Sequence, residues 1–161
     1  MNRLVAVWSV LSAVALAAGP PQFKDYPVKK VFRGPIAAPV LTTAMARMFR
    51  TQLRNSVKYG PNFAGHYTLA RWGCGAGCSA VAVIDAISGQ VWFAPFSLED
   101  VLLKEGVYCH RSAEFEVDSE LFIATGNVNG KVGTHYFRWR QSRFTPLLFE
   151  EQCPVIPPTS D

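Results

Sequence analysis

The segment Cys74-Gly75-Ala76-Gly77-Cys78 constrains this chain more than any other. Two glycines around one alanine favour a sharp reversal. The flanking runs, His66 to Trp72 and Ala80 to Ile84, read as extended. A hairpin with Gly75-Ala76-Gly77 as its loop sets Cys74 opposite Cys78, at a Cα separation of about 4.5 Å that a disulfide accepts. The same glycines oppose the helical turn that would align the two thiolates as a zinc pair, so no metal site is expected.

The chain has four cysteines, and an even count in an oxidising compartment reads as two bridges. Three connectivities are open to four cysteines; the hairpin favours Cys74 with Cys78, which leaves Cys109 with Cys153. Chain entropy assigns about 2 kcal/mol to the short loop and about 4 kcal/mol to the long one.

An oxidising compartment is also what the amino terminus predicts. Arg3 precedes an uncharged apolar run from Leu4 to Ala18, and Ala15-Leu16-Ala17 has the small-x-small pattern of a cleavage site. About 15 helical residues span about 22 Å, short of the ~30 Å hydrocarbon core, so residues 1–17 read as a signal peptide and no stable membrane span remains after cleavage. The expected location is periplasmic or secreted. A mature chain of about 144 residues fits one domain. Its formal charge, +4 for the whole sequence, is too weak to imply nucleic acid.

Residues 18–40, with Pro27, Gly34, Pro35 and Pro39, read as an extended arm, 41–153 as the domain, and 154–161 as a flexible tail. From Thr42 or Thr43 to Tyr59 the spacing predicts one long amphipathic helix, with Leu41, Met45, Met48, Phe49, Leu53 and Val57 on its apolar side. Arg47, Arg50, Arg54 and Lys58 form a basic ridge opposite, a secondary candidate for anionic polymer or lipid headgroups. Ser97-Leu98-Glu99-Asp100 carries a helix-start signal. Strands are expected at Gln90 to Phe93, Glu114 to Asp118, Leu121 to Thr125, Thr134 to Arg140 and Arg143 to Phe149. The expected fold is α+β: a single antiparallel sheet of about five to seven strands carrying the helix and stapled by disulfides.

Tyr59 to Tyr67, with its Asn62-Phe63-Ala64-Gly65-His66-Tyr67 core, is followed by Trp72-Gly73-Cys74-Gly75-Ala76-Gly77-Cys78 and Val83-Ile84-Asp85-Ala86-Ile87-Ser88-Gly89. Together these resemble a family of small exported bacterial proteins without an assigned function. Asp118 to Leu121 and Gly133 to Trp139 extend the resemblance over most of the mature chain. It implies export and a single domain, and it carries over no catalytic or binding residue.

Chemistry therefore rests on the residues themselves. On an extended strand His66, Thr68 and Trp72 share one face and can line a cleft beside the cysteine turn; the competing reading puts Trp72 in the core. Tyr136 and Arg138, with Arg140, form a second patch if Phe137 and Trp139 point inward. A Cys/His hydrolase acting on envelope polymers needs a free thiolate, which the bridges remove. The expected role is a noncatalytic binding domain for a protein or envelope polymer, with no cofactor implied.

Overall fold

Apolar side chains at both parities of Ala80 to Ile84 demand a strand covered on both faces. The computed structural model describes residues 19–153 and provides both covers; the expected leader and the tail from 154 onward lie outside the described residues. Strand β2 (Cys78–Asp85) lies between β1 (Tyr67–Gly75) and β3 (Val91–Glu99), all antiparallel. Val81 and Val83 enter the main core, while Ala82 and Ile84 face the helices.

A short ladder of β4 (Val101–Leu102) and β5 (Tyr108–Cys109) leads to the second half-sheet. That half contains β6 (Ser112–Phe115), β7 (Leu121–Val128), β8 (Lys131–Arg140) and β9 (Arg143–Glu150), giving a seven-stranded antiparallel sheet among the described residues. Because β6 occupies one edge of β7 from Phe122 to Thr125, β3 reaches β7 at the single partnered pair Glu99 and Asn127. The two halves therefore turn face to face around an aromatic core, with ring centroids 5.5 Å apart for Tyr67 and Trp139 and 6.0 Å for Trp92 and Trp139.

One long helix does not form. Helix α1 (Ala44–Met48) ends at Phe49, whose φ of −98° and ψ of 20° interrupt the run, and α2 (Arg50–Ser56) follows before a 3-10 turn at Val57–Tyr59. Phe49 packs on Trp72 at 4.9 Å and on Phe93 at 6.2 Å, so its ring fixes where the helix breaks. Before the break Ala46 faces the sheet, and Met45 and Met48, expected on the apolar side, are exposed. The helix signal at Ser97 is overridden too, since Phe96 and Leu98 alternate into the core while β3 pairs with β2.

Both bridges pair as expected, Cys74 with Cys78 and Cys109 with Cys153, at Cα separations of 5.2 and 5.6 Å. The hairpin differs in detail. Gly75 pairs with Cys78 around the turn Ala76-Gly77, and Cys74 sits in a bulge between Gly73 and Gly75 rather than directly opposite its partner.

The arm is stitched to the domain by main-chain bonds. Pro27 bridges to Ser119, the Val28 N–H donates to Asp118 O and the Phe32 N–H to Gly65 O, each at 2.8 Å. Further along, the Ala37 and Val40 N–H groups donate to Ala86 O and Gly89 O. Asn62 finishes the edge of β1 with a side chain that imitates a strand: its Oδ1 accepts from the Leu69 N–H at 2.7 Å and its Nδ2 donates to Leu69 O.

Candidate functional site

His66 ends the tight turn that precedes β1, and Arg138 lies near the end of β8; nothing in their sequence positions links them. The rolled sheet and the arm bring them together. They line one cleft of about 470 Å³ whose walls are arm residues Lys29 and Lys30 on one side and Arg138 and Arg140 on the other. Tyr67 and Trp139 also line the cleft.

The arm owes its course to Gly65. This residue adopts φ of +84°, and a Cβ there would lie 2.8 Å from Lys30 O, so only glycine lets the arm approach so closely. Ser119, almost wholly buried, anchors the other end by donating its hydroxyl to Phe23 O at 2.8 Å.

The cleft is strongly one-sided in charge. Glu120 is its single lining carboxylate, and it already accepts from Arg138 Nε at 2.7 Å. The Arg138 guanidinium also lies 5.5 Å over the Tyr26 ring, which orients it. Among the described residues, Lys29, Lys30 and Arg140 have no acidic side chain within ion-pair distance. His66 lies 4.0 Å from Asp85, and its ring centroid is 4.0 Å from that of Tyr67. Burial pushes the Tyr67 phenol pKa up. The Trp139 indole N–H closes no hydrogen bond, yet it lies near enough to the Tyr67 hydroxyl to oppose that rise.

The other expected site residues lie elsewhere. Thr68 lines no cleft: it is fully buried, and its hydroxyl donates to Gly60 O at 3.1 Å. Trp72 does line a hollow of about 510 Å³ beside Cys74 and Cys78, but it packs there against Phe49 and Phe93 under the helices, on the opposite face of the sheet from Tyr67 and without His66 or Thr68. Phe137 and Trp139 do point inward, but Tyr136 is also buried, with its hydroxyl donating to Glu150 at 2.9 Å, so it is no surface residue. The basic ridge is exposed, although Arg47 donates to Thr42 O at 2.6 Å and Arg50 to Arg47 O, which ties both to local backbone.

Lys29, Lys30 and Glu120 join the cleft from outside β1 and β8. The adjacent lysines were the available signal, but nothing local places the arm against β8. A second polar cluster lies beneath the cysteine turn. Arg111 pairs with Asp100 and donates through Nε to Ser79 at 2.8 Å, fastening the entry of β6 to β2. With Ser79 engaged by Arg111, that cluster serves as a brace.

Fold and bridges define a disulfide-stapled α+β protein with a basic cleft. No family model, curated protein or solved structure matches the chain. Two disulfides fit an extracellular or periplasmic protein. No helix among the described residues is long and apolar enough to cross a membrane.

Proposed function

We propose that this is an exported, noncatalytic binding domain of the bacterial envelope or extracellular space, and that its site is the cleft between the arm and the end of β8. The observation that carries this reading is the gathering of Lys29, Lys30, Arg138 and Arg140 around a concave space whose one carboxylate is already paired. Unbalanced cations on a shaped surface are an electrostatic lure for an anionic partner. Against the Cys/His hydrolase stands the engagement of all four cysteines in bridges, which takes away the thiolate nucleophile.

The test uses the mature protein, with fractionation and intact mass establishing export, cleavage and both bridges. Envelope material immobilised as polysaccharide, lipid and protein fractions should retain the wild type and release Lys30→Ala/Arg140→Ala, while the bound polymer keeps its length. Equal retention of both proteins removes the cleft as the site, and shortened polymer removes the noncatalytic reading.

A further inference from the structure

We propose, resting on that reading, that the cleft is one half of a longer groove and that its ligand is a linear acidic polysaccharide. A second cleft of about 760 Å³ adjoins the first and shares Lys30 and His66 with it. Arg33 lines this second space, so a basic track follows the arm from Arg140 through Lys30 to Arg33. Val31, Phe32 and the exposed Ile87 supply apolar wall between the charges. Either space alone is of the size that holds a small ligand; two joined end to end suit a chain.

The chemistry selects among polyanions. Nucleic acid wants free aromatic faces on which bases stack. Here Trp139 is almost wholly buried and Tyr67 is wedged edge-on against Trp92 and Trp139, which leaves Phe32 as a lone half-buried ring, packed over Gly34, where successive bases want a row of them. An extended acidic peptide gains affinity by adding to a sheet edge. Residues 28–33 of the arm form no strand, and the Val28 and Phe32 N–H groups turn inward to Asp118 O and Gly65 O, so the arm presents no regular strand edge for a peptide to extend. A polysaccharide with a carboxylate on its repeating sugars needs neither: guanidinium and ammonium groups take the carboxylates. The apolar wall takes the carbon faces of the rings.

Titration calorimetry with galacturonate, a long oligogalacturonate, neutral maltodextrin, polyglutamate and oligothymidylate tests this directly. The expected result is oligogalacturonate binding more than tenfold tighter than the monomer and weakened by salt, with little heat from the other probes. Exposed contacts of this kind imply about a tenfold loss in Lys30→Ala/Arg33→Ala at unchanged melting temperature. Equal affinity for monomer and oligomer, or equal or tighter binding of polyglutamate or oligothymidylate, overturns the proposal. So does a loss carried instead by Arg54→Ala/Lys58→Ala, which would make the helical ridge the site. Cleft-dependent retention of envelope material without oligogalacturonate binding sinks the polysaccharide assignment and leaves the binding reading standing.

Discussion

Tyr136 illustrates how little a residue's own letter says about its surroundings. Its ring is buried on the outer side of β8, and that burial, with the hydrogen bond and charge of Glu150 and the charge of Glu114, pushes its pKa up to about 12. An unfolded tyrosine ionises at about 10. Between these values the folded chain keeps a proton that the unfolded chain releases, so the stabilisation is complete below pH 10 and is lost as the pH climbs towards 12. Urea midpoints should therefore fall over that interval in the wild type and fall less steeply in Tyr136→Phe; parallel slopes would contradict the assignment. His135, its neighbour, is buried with Nε2 3.0 Å from Lys131 O, and burial holds its pKa below the ordinary histidine range. Adjacent strand positions thus favour the neutral form of an acid and of a base by the same desolvation.

At the level of elements, the sequence was informative wherever pattern and burial had one cause. Both parities of Ala80 to Ile84 are apolar because both faces of β2 are covered, and the turn residues Gln141 and Ser142, at φ of 51° and 59°, close the last hairpin where expected. The helix failed for the converse reason. A 3.6-residue stripe counts Met45, Met48 and Phe49 alike, and only the aromatic contact of Phe49 with Trp72 decides which of them packs against the sheet. The bridges sit at the ends of this scale. Cys109 is fully buried and closes a separation of 44 residues, whereas Cys74 is exposed and closes one of 4. Loop entropy then assigns about 4 kcal/mol to the first and about 2 kcal/mol to the second. Cys109→Ser should lower the melting temperature clearly more than Cys78→Ser, and equal losses would refute the ranking.

Across the whole molecule the candidate site is a product of topology. His66 and Arg138 stood out separately as letters, but their meeting depends on the arm reaching Ser119 and on the sheet rolling, both long-range events without a local signature. Gly65 is where these events converge. Ala in its left-handed conformation costs on the order of 1–2 kcal/mol, and the methyl would also push Lys30 away. Gly65→Ala should melt earlier and lose cleft-dependent retention of envelope material, and a variant that melts earlier yet binds normally would separate the arm from the site. The seam between the half-sheets carries a different consequence. With one ladder pair joining β3 to β7, resistance to shear there comes from interlocked rings and the Arg111 brace more than from main-chain pairing. Under tension, this is the line along which the roll would part first, opening like a book along its spine with each cover still intact.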